Sequence, residues 1–323
     1  CNEQRDAEGG MYVCCLMFRH GFESVTVLAD HLIRLFASCG RLDDAKSIFS
    51  MVSQPSIYTW NAIISGHQNQ HSPAEDVLDL YEDMHKQGKT QPNSVTFLNI
   101  LKACGGIQSL EIGEQIHKQV NSLGLLKKDV VLGTTLMDMY AKCGRLDKAQ
   151  EVFDNLLIRN VVSWNALISG YANYGRGDEA LKCFRKMQNE GIHPNIVTYV
   201  CALKACGSLG ALQRGKEIHN QATESGQVEM MMISTIIDMY ARCGNVDQAQ
   251  KVLNAWPHSG IAAWGAMIKG YALNGDFSLA QKTFEHMEEL GIKPNEMIYT
   301  SIITACSHAA KVEEGQKYFI SMR

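Results

Sequence analysis

Trp164, Leu167, Ile168 and Tyr171 stand at i, i+3, i+4 and i+7, the spacing that lines one side of an α-helix with apolar residues. The same four places return as Trp264, Met267, Ile268 and Tyr271, as Gly133, Leu136, Met137 and Tyr140, and as Ile233, Ile236, Ile237 and Tyr240. They return again as Phe97, Ile100, Leu101 and Cys104, and as Tyr199, Ala202, Leu203 and Cys206. A glycine follows each of several stripes, as Gly144, Gly175 and Gly244, where a helix C-terminus favours a left-handed residue. A second apolar stripe then begins, for example Ala180, Leu181, Phe184 and Met187, which predicts a helix from Asp178 to Glu190. Each unit is thus a helix–turn–helix hairpin. A single hairpin cannot bury both faces, so neighbours must stack into an all-α solenoid.

The units differ in length, and this explains why "MDMYAKCGRLDKAQEVF" (Met137 to Phe153) and "IDMYARCGNVDQAQKVL" (Ile237 to Leu253) lie 100 residues apart. "VVSWNALISGYANYGRGDEALKCFRKMQNEGIHPN" (161–195) and "IAAWGAMIKGYALNGDFSLAQKTFEHMEELGIKPN" (261–295) align without a gap, and 57–93 is the same type with two residues added. A middle type follows each, at 94–129 and 196–229, and a 31-residue type at 26–56, 130–160 and 230–260 completes the rotation. Residues 1–25 and 296–323 read as partial middle-type units, so the whole chain is one array whose two ends look truncated.

Composition narrows the chemistry. The net charge of −4 excludes a global basic field, so any polyanion site must be a local stripe. No apolar run is long enough to span a membrane, and no signal peptide is visible. Eleven cysteines form no CxxC pair, and such usage in a long chain reads as reduced and intracellular. Cys104, Cys206 and Cys306 occupy the place held by Tyr140, Tyr171, Tyr240 and Tyr271 in other units, which marks them as packing residues. Cys39, Cys143 and Cys243 precede a turn glycine once per copy. Neither set makes a metal site, and nothing calls for a cofactor or a small-molecule substrate.

The three unit lengths in fixed rotation, with "LMDMYAKCGRLDKAQEVFDNL" and "LKACGSLGALQRGKEIHNQ" as further carriers, resemble pentatricopeptide repeats of the plant subtype that alternates P, L and S motifs. On that resemblance 57–93, 161–195 and 261–295 are P motifs, 94–129 and 196–229 are L motifs, and 26–56, 130–160 and 230–260 are S motifs. The resemblance implies a right-handed superhelix that binds single-stranded RNA in a plant mitochondrion or chloroplast, one motif per base. It also implies roles for residues. The fifth and last residues of a motif select the base, giving Asp30 with Ser56, Asn61 with Asn93, Thr134 with Asn160, Asn165 with Asn195, Ser234, and Gly265 with Asn295. The second residue sandwiches it, giving Val27, Tyr58, Val131, Val162 and Met231, with Ala262 a small exception. Carried across, the pairs suggest a pyrimidine at 57–93, adenine at 130–160 and a pyrimidine at 161–195, with the N-terminal motif at the 5′ end.

The residues themselves add support. The fifth place lies outside the apolar stripe, free to face a groove, and is mostly small and polar except for Leu98 and Val200 in the middle units. One turn further stand Arg34, Lys102, Lys204 and Lys269, and a turn beyond that Lys142 and Arg242, a line of cations suited to phosphates. Asp138 and Asp238 interrupt it.

Three classes of function compete: an RNA-binding adaptor, a tetratricopeptide-like peptide scaffold, and an enzyme. Uniform 34-residue repeats mark the scaffold, and rotation of three lengths disfavours it. A zinc deaminase needs an H-x-E and a P-C-x-x-C set, whereas His286 to Glu288 is the lone H-x-E, inside a predicted helix with no CxxC after it. The resemblance therefore implies a non-enzymatic specificity part of a C-to-U editing factor, working with editing-complex proteins. A splicing or RNA-stabilising role is the alternative.

Overall fold

The computed structural model describes Tyr12 and residues 26–69, 73–127 and 129–322. The partial unit expected at 1–25, with Cys1, Cys14 and Cys15, lies outside these residues apart from Tyr12. Among the described residues all regular structure is helical. None of the helices is long and apolar enough to cross a membrane.

The chain forms two compact units, 1–159 and 160–323. The first contains four hairpins: α1 (Thr26–Ser38) with α2 (Leu42–Met51), α3 (Ile57–Asn69) with α4 (Ala74–Gln87), α5 (Ser94–Ile107) with α6 (Leu110–Ser122), and α7 (Val130–Lys142) with α8 (Leu146–Asp154). The second contains five: α9 (Val161–Asn173) with α10 (Gly177–Asn189), α11 (Ile196–Leu209) with α12 (Leu212–Glu224), α13 (Met230–Arg242) with α14 (Val246–Ala255), α15 (Ile261–Leu273) with α16 (Phe277–Glu289), and α17 (Glu296–His308) with α18 (Val312–Ser321). The helix expected over Asp178 to Glu190 starts one residue earlier, at Gly177, whose missing side chain lets Leu209 and the Ala205 carbonyl approach.

One device closes the hairpins whose turns lie wholly among the described residues. At the first turn glycine the Arg145 N–H donates to the Tyr140 carbonyl at 2.8 Å and the Gly144 N–H to the Ala141 carbonyl at 2.9 Å, with Gly144 at φ 74°. This is the 6→1 and 5→2 pattern that satisfies the last carbonyls of a helix. Two of the three middle-type hairpins do it with a non-glycine residue, Gln108 at φ 56° and Ala310 at φ 54°, and the third with Gly210 at φ 65°. A side chain in that region is strained by about 1 kcal/mol.

First helices stack on first helices, α1 on α3, α3 on α5 and α5 on α7 in the first unit, and α9 on α11 through to α15 on α17 in the second. The stripes read from the sequence form this core, with Trp60, Phe97, Tyr140, Trp164, Ile236 and Met267 essentially inaccessible. A fully buried aliphatic side chain contributes about 1.5–3 kcal/mol, so the stack rests on the stripe rather than on turns or ion pairs. Cys104, Cys206 and Cys306 are buried in it, and burial pushes the Cys104 and Cys206 thiols up to about 12. A thiol held protonated packs as a small hydrophobe and does not offer a thiolate. Two tyrosines of the stripe keep their hydroxyls satisfied at its edge: Tyr140 Oη lies 2.8 Å from His117 Nδ1, and Tyr240 Oη lies 3.0 Å from His219 Nδ1.

Candidate nucleic-acid interface

The second residue of each first helix stands in the first turn and is left bare. Val27, Tyr58, Val95, Val131, Val162, Val197, Met231 and Met297 are between 48% and 75% exposed, and Ala262 is exposed as well. A single exposed valine carries no information. An apolar residue bare at one register in unit after unit forms a regular row of exposed apolar surfaces, the kind of surface on which bases stack. Sequence reasoning named this position in the longer and shorter units but passed over Val95, Val197 and Met297, which sit at the same register in the middle units.

The residue closing a motif is the N-cap of the next first helix. The Asn93 Oδ1 accepts the Thr96 N–H at 3.1 Å, and the Thr96 hydroxyl in turn accepts the Asn93 N–H at 3.2 Å, a reciprocal capping box. Asn195 and Thr198 repeat it, with 3.1 Å in both directions. Such a cap contributes about 1 kcal/mol. The fifth residue leans on that cap. Asn61 Nδ2 donates to Asn93 Oδ1 at 3.1 Å, and Asn165 Nδ2 donates to Asn195 Oδ1 at 3.0 Å. The two residues paired on sequence grounds are therefore in contact in both of these motifs. They are not free side chains in a groove: Asn61 and Asn165 are each only 9% exposed, because the neighbouring cap draws them down.

Other motifs are built differently. Ser56 caps α3, its hydroxyl accepting the Thr59 N–H at 3.1 Å and donating to Asp30 Oδ2 at 3.3 Å. Asn160 accepts the Ser163 N–H at 3.0 Å, while the Thr134 hydroxyl is spent on the Val130 carbonyl at 2.8 Å. Asn295 accepts the Ile298 N–H at 3.0 Å, and its partner position Gly265 has no side chain to offer. Ser234 is half-buried.

A cavity of about 380 Å³ joins these features in the first unit. Its walls include Tyr58 and Val95, with Asn61, Asn93 and Arg34 also lining it. It combines an exposed aromatic ring, an exposed valine, two amides and a cation in a space within the usual range of ligand clefts, about 300–1,000 Å³. A larger groove of about 580 Å³ near α18 is lined by Cys306, Val312, Phe319 and Ile320 among others, and by none of the second or fifth residues.

The line of cations divides in two. Lys142 Nζ lies 2.8 Å from Asp138 Oδ2, Arg242 Nε 2.6 Å from Asp238 Oδ2, and Lys269 Nζ 3.9 Å from Asp238 Oδ1. Arg34, Lys102 and Lys204 are exposed and have no acidic partner among the described residues. Exposed pairs hold about 0–1 kcal/mol, so the first three can be released to a phosphate at small cost, and the last three stand ready. Among the described residues no three potential metal ligands come together. His286 sits on the exposed face of α16, its ring edge against Trp264 at 5.6 Å between centroids.

The fold and this register define a helical-repeat solenoid whose hairpins each present an apolar platform, most of them beside a capped polar position. Residues 159–208 and 259–308 match the PPR repeat family, residues 30–53, 134–161, 232–261 and 297–323 match the PPR repeat, and residues 53–107 match the pentatricopeptide repeat domain. The pentatricopeptide repeat-containing protein At1g06140, mitochondrial, of Arabidopsis thaliana is 32% identical over 98% of this chain and 56% of its own length. The chloroplastic At1g11290 of the same plant is 34% identical over 94% of this chain and 38% of its own. The chain belongs to the pentatricopeptide repeat family, and it spans about half the length of such relatives or less. Its fold is that of the crystal structure of PPR10 in complex with an 18-nt psaJ RNA element, with a TM-score of 0.81 at 21% identity over 98% of this chain and 47% of the other.

Proposed function

We propose that this chain binds single-stranded RNA by sequence, one motif to one base, as the specificity part of a C-to-U editing factor in a plant mitochondrion or chloroplast. The observation that carries the reading is the cavity whose lining joins Tyr58 and Val95, apolar surfaces suited to stacking, with the hydrogen-bonded Asn61–Asn93 pair. Stacking platforms give sequence-tolerant affinity, and buried amides give discrimination, which is the division of labour in base-per-repeat RNA readers. The PPR10 complex with an RNA element supports the ligand class, and relatives named mitochondrial or chloroplastic support the compartments. The rotation of unit lengths supports the alternating P, L and S subtype with the motif boundaries given above, and that subtype supports editing.

Filter binding tests the ligand. The chain retains single-stranded RNA carrying pyrimidines opposite 57–93 and 161–195 in preference to purine-substituted RNA, with a salt slope set by the phosphates contacted. Affinity no greater than for heparin overturns the reading. Editing is tested apart from binding. Loss of the protein in its source plant abolishes C-to-U conversion at particular organellar sites, and unchanged conversion throughout removes that role.

A further inference from the structure

Asn61 and Asn165 are held at both ends of their amides, and the second hold comes from a residue outside the motif. The Thr96 hydroxyl donates to Asn61 Oδ1 at 2.8 Å, and the Thr198 hydroxyl donates to Asn165 Oδ1 at 2.6 Å. Both threonines are fully buried. We infer that Thr96 and Thr198 are positioning residues that fix the amide orientation of Asn61 and Asn165, so that each asparagine pair offers only N–H groups to a base. The inference rests on the base-reading role proposed above.

The orientation follows from donors that have no choice. The Thr96 backbone N–H can only donate, so it turns the Asn93 amide oxygen inward and leaves Asn93 Nδ2 without a partner among the described residues. That inward oxygen can only accept, so Asn61 must turn Nδ2 towards it. Asn61 Oδ1 then needs a donor in a buried place, and the threonine hydroxyl supplies it. The hydroxyl's lone pair is already engaged by the Asn93 N–H at 3.2 Å, so its single proton is free for this purpose. Its other acceptor, Asn93 Oδ1, is further away at 3.2 Å. The ring closes in the same sense in the second unit, where Asn165 Nδ2 reaches Asn195 Oδ1 at 3.0 Å.

What remains for a base is the second N–H of the fifth residue and the Nδ2 group of the cap. Cytosine carries two adjacent acceptors, N3 and O2, on its pairing edge, and uracil shares the O2. Uracil adds a second acceptor, O4, beyond its N3–H, whereas adenine and guanine each carry a single acceptor there, N1 and O6, beside their donors, so a donor-only pair favours pyrimidines. Without the hydroxyl, Asn61 Oδ1 is left buried and unpaired, which a polar group escapes by swinging outward. The fifth residue would then offer an acceptor as well as a donor, and the preference would relax. At Asn295 the ring cannot form, because Ile298 has no hydroxyl and Gly265 no side chain.

The test uses the full chain, single-stranded RNA randomised at one position at a time, and the variants Thr96→Val, Thr96→Ser, Thr198→Val and Thr198→Ser. Valine keeps the shape and removes the hydroxyl, and serine keeps the hydroxyl. The expected result is a fall of about fivefold in the pyrimidine-to-purine ratio, the worth of one neutral hydrogen bond, only at the base read by the altered motif. The serine variants keep the ratio, and the salt slope stays fixed. A wild-type preference that Thr96→Val leaves intact, or loses equally at both motifs, overturns the positioning role while base reading stands. A wild-type chain with no preference at either base overturns both.

Discussion

Gly66 and Gly270 lie inside first helices, where exchange of glycine for alanine ordinarily stabilises a protein by about 0.5–1 kcal/mol. Here the sign should reverse. A Cβ added at Gly66 would sit 2.8 Å from the Ala37 Cβ of the preceding first helix, and one at Gly270 would sit 2.6 Å from the Ala241 Cβ. Carbon atoms pack best at about 3.5–4.0 Å, so each contact is short by about an ångström. The opposing atom is an alanine Cβ, fixed to its backbone, and cannot rotate aside. The helices must therefore part, and overpacking of this kind costs about 1–3 kcal/mol. Set against the propensity gain, Gly66→Ala and Gly270→Ala should destabilise by about 0.5–2 kcal/mol. Gly106, in α5 with nothing within 4 Å of its would-be Cβ, is the control, and Gly106→Ala should stabilise by about 0.5 kcal/mol. Circular dichroism melts read this as a loss of about 2–4 °C per kcal/mol in the affected unit. Since Gly66 also lines the cavity beside Tyr58 and Asn61, Gly66→Ala should weaken RNA binding as well. If both alanine variants melt as high as Gly106→Ala, the glycines are not there for close approach, and the stacking argument fails.

Asp238→Ala frees both Arg242 and Lys269, so RNA affinity should rise by about three- to tenfold with a steeper salt slope in filter binding; an unchanged slope would remove those cations from the phosphate path. Ala310→Gly relieves the left-handed residue of the last hairpin turn and should raise stability by about 0.5–1 kcal/mol in thermal melts, whereas a loss would show that the turn is unstrained. Burial holds His117 and His219 below the usual imidazole range. The unfolded chain then takes up protons first, near pH 6.5, so stability is complete above that pH and falls as the solution is acidified through it. The double variant H117Q/H219Q should flatten that fall in melts between pH 7.5 and 5, and an undiminished slope would assign it to other groups.

Hairpins were legible in the sequence because a stripe at i, i+3, i+4 and i+7 is local information, and because copies a hundred residues apart could be laid over one another. The same superposition placed Cys104 and Cys206 in the core through their exchange with tyrosine. The seat of the fifth residue was not legible. Asn61 lies outside the apolar stripe, which suggests an open side chain, yet it is buried because its partner cap arrives from 32 residues away. The signal existed in "PNSVT" and "PNIVT", where Asn and Thr three apart spell a capping box, but only the three-dimensional structure shows the threonine reaching back to the preceding motif. The pairing of Lys142 with Asp138 was within reach, since four residues on a helix bring them together. The bond between Lys269 and Asp238 spans two helices and was not.

The caps also suggest why base selection would reside at the motif's last residue. Ser56, Asn93, Asp129, Asn160, Asn195 and Asn295 all accept a backbone N–H at the start of the following helix. Serine, asparagine and aspartate cap almost equally well, so exchanging one for another leaves the helix intact. They nevertheless leave different groups over after capping: a hydroxyl proton, which Ser56 gives to Asp30 Oδ2, amide N–H groups, or a second carboxylate oxygen. The position thus tolerates a change of hydrogen-bonding character at little cost in stability, which a code needs if targets are to change while the solenoid persists. Glu229 and Gly260 make no side-chain cap. Where the cap is lost, the scaffold that would hold a selecting side chain in place is lost with it, so discrimination should be weakest at those motifs and at Gly265, and strongest where Thr96 and Thr198 close the ring.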